Sequence, residues 1–179
     1  MLPSLRVDWT DRSGRFNVSL SGENVTNGWE ISTMTDLERL LAIEEIKRVK
    51  AKYFYCLDTK DWAGWKENVF APDGSLDVPE ALAEPIVGID RIIEWVSLNA
   101  GTQVSVHHGH MPDIEICSAD SAKGIWAMED RLYRPKDKPH SSGFTSLHGF
   151  GHYHETYVRG PKGWRIKTTR LTRLRVETV

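Results

Sequence analysis

The sequence predicts an α+β fold, a cone-shaped barrel in which three helices pack on a strongly curved mixed or antiparallel β-sheet. Three observations lead there. Apolar residues recur at helical spacing between about residues 35 and 100, strand-like segments replace them after residue 102, and the helices precede the strands instead of alternating with them. Helices followed by a run of strands give a sheet covered by helices on one face. If that sheet curves, its concave face and the helices enclose a pocket of the kind that takes small molecules.

In chain order, residues 1–33 stand apart. They are rich in Gly, Ser, Asn and Thr, with a weak alternation at Phe16, Val18 and Leu20 followed by the turn residues Ser21–Asn24. This reads as a marginal hairpin or a loosely held extension, outside a domain spanning 34–179. Met34 fits a natural start, which would make the first 33 residues an upstream extension. Thr35 and Glu38 form a capping box, a signal for helix entry. From there to about Leu57, Ile43, Ile46, Val49, Tyr53 and Leu57 share an apolar stripe, with Glu44 and Arg48 as an i,i+4 pair on the wet side. "DTKD" at 58–61 breaks this helix and a second follows over about 62–70. "APDG" at 71–74 reads as a turn. "VGIDRIIEWVSLNA" then predicts a third helix with Asp90 near its start and Ile92, Ile93 and Val96 inward. The strands are expected in "SVHHGHMPDIEI", "AKGIWAMEDRLYR", "SLHGFGHYHETYV" and "GWRIKTTRLTRLRVE".

Composition narrows the function. The chain of 179 residues carries a net charge of −2, so it lacks the basic footprint of a nucleic-acid binder. Its apolar runs are too short to span a bilayer, and "MLPSLRVDW" has no signal-peptide core. Cys56 and Cys117 sit in no metal or redox spacing and read as reduced. The sequons at Asn17 and Asn24 read as chance. A cytoplasmic protein without nucleic-acid or membrane partners is the expectation. No P-loop, dinucleotide fingerprint or Ser–His–Asp order is present, which leaves acid–base chemistry by Tyr, His and Asp.

The residues for that chemistry cluster in four segments. Tyr53 and Asp58 lie at the end of the first helix, five residues and hence about 140° apart, so both reach one ligand only if the helix is ending there, which the break at 58–61 permits. Tyr53 is equally readable as a core tyrosine, and Asp58 as a loop acid, although an acid is unfavourable at a helix C-terminus. In "VSVHHGH", strand alternation sends His107 to one face and His108 and His110 to the other. His108, His110 and Glu115 match a cupin-like metal pattern, H-x-H-x4-E, whose alternative is an outward-facing cluster. Glu129 and Asp130 must face opposite ways, and the inward one needs a partner such as His107 or an arginine. On the strand at 148–157, Gly149, Gly151, Tyr153, Glu155 and Tyr157 share one face and His148, Phe150, His152 and His154 the other; the two glycines suggest a bend. Of Arg170, Arg173 and Arg175, at most one or two can face inward.

At these residues the sequence resembles the SnoaL-like, nuclear-transport-factor-2-like superfamily, and within it the bile acid 7α-dehydratases. The likeness covers about residues 40–178. It rests on "IEEIKRVKAKYFYCLDTKDW", which resembles the dehydratase's first helix with Tyr53 and Asp58 on its catalytic tyrosine and aspartate. "VSVHHGHMPDIEI" places His107 on the catalytic histidine, and "GIWAMEDRL" places Asp130 on the remaining aspartate. Counted from Trp164, Arg173 falls on the family's arginine. The resemblance implies cofactor-free acid–base catalysis, with no metal, by Tyr53, Asp58, His107 and Asp130. Arg173, Tyr153, His108 and Trp126 would hold a hydrophobic, hydroxylated cyclic, steroid-like or aromatic substrate. It implies dehydration or isomerisation, with carbon–carbon cleavage of lignin-derived aromatics or ligand binding without catalysis as alternatives, in a homodimer or homotrimer; Phe150, His152, His154 and Val158 on the strand at 148–158 predict assembly through the outer sheet face. The sequence departs from the dehydratases over 72–103 and 134–147, segments that would shape the pocket, so the likeness does not carry bile acid as the substrate.

Overall fold

A computed structural model describes residues 34–179 together with two short strands, β1 (Arg6–Trp9) and β2 (Phe16–Ser19). The chain divides into two compact units, Met1–Thr35 and Asp36–Val179. In the first, β1 and β2 pair antiparallel, Arg6 opposite Ser19 and Trp9 opposite Phe16. The strand expected around Phe16 is there, but its partner lies upstream; Leu20 and the expected turn at 21–24 lie outside the described residues.

The second unit opens with α1 (Asp36–Thr59), which buries Ile46, Val49, Tyr53 and Leu57 along one stripe. One expectation fails here. Glu44 pairs with Lys47 at 2.6 Å instead of Arg48. The helix ends at Thr59, inside the expected break and close to the expected end near Leu57, with Asp58 in its last turn. It ends because Lys60 adopts a left-handed conformation (φ 62°). The amide of Asp61 reaches back to the Cys56 carbonyl at 2.8 Å and that of Lys60 to Leu57 at 3.4 Å, a Schellman closure. Glycine usually takes this position, and another residue costs about 1 kcal/mol or more there. Asp61 then caps α2 (Trp62–Asn68), accepting from the Gly64 amide at 2.9 Å.

The turn expected at 71–74 is instead part of β3 (Phe70–Asp77). Its turn residues appear as a break in register against the last strand between Phe70 and Ser75. A bulge tolerates a proline, which has no N–H for the ladder, and so absorbs Pro72. β4 (Ile86–Val87) and α3 (Ile89–Ala100) follow, then the long strands β5 (Val104–Ile116), β6 (Ser121–Tyr133), β7 (Ser146–Gly160) and β8 (Gly163–Thr178). The six strands of this unit run β4-β3-β8-β7-β6-β5, with β3 parallel to β8 and the other pairs antiparallel. The sheet is therefore mixed and open, with β4 and β5 at its edges. Register breaks at Gly109/Pro112, Phe150/Gly151 and Thr156/Tyr157 curve it around the helices. The two glycines of β7 permit close approach: a Cβ on Gly149 would collide with Asp130 and Arg173, and one on Gly151 with the backbone of Thr172 and Arg173. Among the described residues no helix is long and apolar enough to cross a membrane.

The core is not purely apolar. Lys50 and Glu155 form a fully buried ion pair, Nζ to Oε1 2.5 Å. Thr169 donates to the same carboxylate at 2.9 Å, Tyr157 donates to its second oxygen, and Trp126 donates to the Tyr157 hydroxyl at 2.8 Å. The ammonium lies 3.5 Å from the ring centroid of Tyr153 and 4.2 Å from that of Tyr53. Burial drives the lysine pKa down to about 8, partly countered by the charge of Glu155. A pair this dry is held by its neighbours, and deleting one member strands the other. Lys50→Met is expected to cost about 3–5 kcal/mol of unfolding free energy, and Lys50→Met with Glu155→Leu to cost less than the sum of the two single changes. Urea denaturation of the four proteins checks this; strict additivity would show that the two residues do not act as a pair.

Candidate active site

The end of α1 and the start of β5 build the centre of the site. Asp58 projects from the last turn of α1 against β5. Its Oδ2 accepts the backbone N–H of His107 at 2.9 Å, and its Oδ1 lies 2.6 Å from His107 Nδ1 and accepts from Ser105 Oγ at 2.8 Å. Lys60, held in its left-handed conformation just past the helix, donates to Ser105 Oγ at 2.9 Å. Burial pushes the Asp58 carboxyl upward, but the hydrogen bonds from the His107 ring and backbone outweigh it and hold the pKa below the usual carboxylate value. An ionised Asp58 fixes the proton of a neutral imidazole on Nδ1 and leaves Nε2 as the basic nitrogen. The His107 side chain is 9 % exposed, and Phe54 stacks along its ring at 6.5 Å and 10°.

His107 lines a cavity of about 220 Å³ together with Tyr53, Tyr153, Asp130 and Arg173. Leu57, Trp65, Leu76, Val96 and Leu171 supply apolar wall. Tyr53 and Tyr153 meet edge-on, ring centroids 5.7 Å apart. Burial raises both phenol pKa values, for Tyr53 with the negative charge of Glu155 as the next cause, so both stay neutral hydrogen-bond donors. Asp130, 1 % exposed, points inward as one of the Glu129/Asp130 pair had to. Its partner is Arg173, whose guanidinium also holds Glu80 from the segment between β3 and β4. Burial alone would lower the Arg173 pKa; the charges of Asp130 and Glu80 outweigh it. Arg170 and Arg175 are exposed, so one arginine of the three faces inward.

Five of the eight residues singled out from the sequence thus share one cavity. Asp58 stands behind His107 and acts on the cavity through it. The remaining two are elsewhere. His108 lies opposite Glu129 on the outer face of the sheet, exposed, because β5 alternates one residue out of phase with the cavity there. Trp126 is a core residue, committed to Tyr157 and absent from the cavity wall. The cupin-like pattern also turns outward: His108, His110 and Glu115 are exposed, and Glu115 pairs with Lys123 at 2.9 Å. Among the described residues no group of three or more His, Cys, Asp or Glu is placed to hold a metal ion.

Sequence reasoning missed Ser105, Lys60 and Glu80. Ser105 was findable, since it sits two residues before His107 and shares its face. Lys60 looked like an ordinary loop lysine, and nothing in the local pattern marks Glu80. A second groove, of about 370 Å³, lies on the outer face of the sheet beside Lys123, His154 and Arg170. Most of its polar groups already pair with one another or face solvent, and none of the chemistry described above reaches it.

Comparison with known proteins agrees with this architecture. A model of the SnoaL-like domain matches residues 38–170. A candidate scytalone dehydratase from Novosphingobium aromaticivorans superposes with a TM-score of 0.69 at 19 % identity, over 81 % of this chain and 92 % of the other. A type 3 LinA hexachlorocyclohexane dehydrochlorinase from Novosphingobium barchaimii gives 0.67 at 16 % identity, over 81 % and 94 %. A nuclear transport factor 2-like superfamily protein from Salmonella enterica serovar Typhimurium gives 0.63 at 18 % identity, over 75 % and 92 %. At these identities the likeness is one of fold.

Proposed function

The chain belongs to the SnoaL-like domain family, and on that premise we propose that it is a cofactor-free lyase. It would eliminate water or a related leaving group from a small, hydrophobic, hydroxylated ring compound. The observation that carries this reading is the Asp58–His107 pair, part-buried at the end of α1 and opening on the cavity that Tyr53 also lines. A site that only binds an apolar ligand has no use for a buried imidazole held in one tautomer by a carboxylate. The elimination catalysed by dehydratases and dehydrochlorinases of this fold supports the same class of reaction.

The step balances with the groups present. His107 Nε2 removes a proton from a carbon next to the leaving group, the carbon–oxygen bond breaks as the double bond forms, and the departing oxygen takes that proton back from the imidazolium, leaving as water and returning His107 to its starting form. Asp58 stabilises the imidazolium that forms, and Tyr53 donates a hydrogen bond to the oxygen on which charge develops. Cavity size bears on the substrate. At about 220 Å³ it falls below the 300–1,000 Å³ of typical drug-sized sites. A one- or two-ring aromatic or alicyclic molecule fits this better than a four-ring steroid.

His107→Ala is expected to lower turnover by about 10²–10⁴ and Tyr53→Phe by about 10²–10³. His108→Ala should change it little, since that ring faces away from the cavity. Steady-state kinetics on a panel of hydroxylated ring compounds checks this. If turnover is found and neither cavity residue affects it, the lyase reading fails and the cavity is a binding site. We also infer that subunits associate through the outer sheet face, where Phe150, His152, His154 and Val158 of β7 stand beside the exposed Ile125, with charged residues such as Glu129 and Arg170 opposite them on the neighbouring strands. Sedimentation velocity at micromolar concentration should show a dimer or trimer; a monomer alone would contradict it.

A further inference from the structure

Arg134 differs from the other cation of the cavity wall. The inward positions of β6 run Asp130, Leu132, and then Arg134 just past its end, all lining the cavity. The Arg134 N–H donates to the Thr145 carbonyl at 2.7 Å, so the ladder with β7 extends to this residue. Four residues of strand separate the backbone of Arg134 from that of Asp130 by about 13 Å, so the two residues reach the cavity from different points along its wall. Its Nη2 donates to the Asn99 carbonyl in the last turn of α3 at 2.6 Å. That bond anchors the guanidinium at a helix C-terminus, where a cation is favoured.

The anchor uses one of five N–H donors. Nε is sealed from solvent without a partner, and the only side-chain hydrogen bond of Arg134 among the described residues is the one from Nη2, so the donors open to a ligand are Nη1 and the second Nη2 hydrogen. Among the described residues no carboxylate pairs with Arg134 either: the two acids of the cavity wall, Glu80 and Asp130, are both held by Arg173. A guanidinium positioned in a cavity and left with unused donors is a planar fork suited to a carboxylate. His140 and Phe144, stacked 4.4 Å apart and both lining the cavity, stand with Arg134 there.

We propose that Arg134 recognises a carboxylate carried by the substrate at the end away from the reacting carbon. This names the substrate class within the lyase reading and rests on it: a hydroxylated ring acid, its ring against the apolar wall, its acid on Arg134 and its reacting carbon at His107.

The test is calorimetric titration of the full chain with para-hydroxycinnamate and with its neutral methyl ester. The acid should bind about tenfold or more tightly than the ester. Arg134→Gln should erase that preference, and Arg134→Lys, which keeps the charge but not the fork, should retain part of it. Circular dichroism checks that the variants fold. If the Gln variant does not, the Lys variant decides: a preference equal to that of the unaltered protein overturns the proposal. So does equal binding of acid and ester, failure of both to bind, survival of the preference in Arg134→Gln, or its loss in Arg173→Gln alone, which would mean that the acid displaces Glu80. None of these outcomes touches the lyase reading, which is read separately from His107-dependent turnover of neutral hydroxylated rings.

Discussion

The hydrogen-bonded contact between Asp58 and His107 joins the two halves of this domain. It is the point where the long helix meets the edge strand. β5 has a partner strand on one side only, and an edge strand exposes amides with no ladder to satisfy them. Asp58 takes one of those amides and the imidazole of the same residue. The contact therefore closes the helix onto the sheet and orients the ring in one act. It also explains the left-handed Lys60. A glycine there would relieve the backbone, but the lysine side chain reaches Ser105 and, through it, the same carboxylate.

A second constraint lies beneath the cavity. The Lys50–Glu155 pair is wholly buried, and the ammonium sits against the faces of Tyr53 and Tyr153. The tyrosines that line the cavity on one side are thus backed by a charge network on the other. Such a network is a poor source of stability compared with an apolar core. It does restrict how the two rings can sit, because each must keep its contact with the ammonium. The curvature of β7 serves the same end, since Gly149 and Gly151 let Asp130 and Arg173 come close to the strand without a side chain in the way.

Much of this was legible in the sequence, and the failures have physical causes. Helix stripes and strand alternation identify α1, α3 and the four long strands because each buries one face, and a buried face imposes a period. The same alternation sorts His107 from His108, Asp130 from Glu129 and Tyr153 from His154. It could not find β3, because Pro72, Asp73 and Gly74 carry turn chemistry that the fold uses as a bulge against β8. Trp126 was expected to hold substrate, but an inward aromatic on a curved sheet can face either the cavity or the core. Which of the two it faces depends on Tyr157 and Glu155, far away in sequence. Glu80 and Arg134 show the limit from the other side. Their importance comes from which charges do and do not meet, and that is a property of the assembled cavity.

The central claim is that Asp58 holds the proton of a neutral His107 on Nδ1 and leaves Nε2 free toward the cavity. Nitrogen NMR of the histidine side chains, recorded above the imidazole titration range and assigned with His107→Ala, observes this directly. The account predicts a protonated Nδ1 and a bare Nε2 for His107, and loss of that fixed tautomer in Asp58→Ala. A proton on Nε2, or rapid averaging between the two tautomers in the unaltered protein, would contradict it.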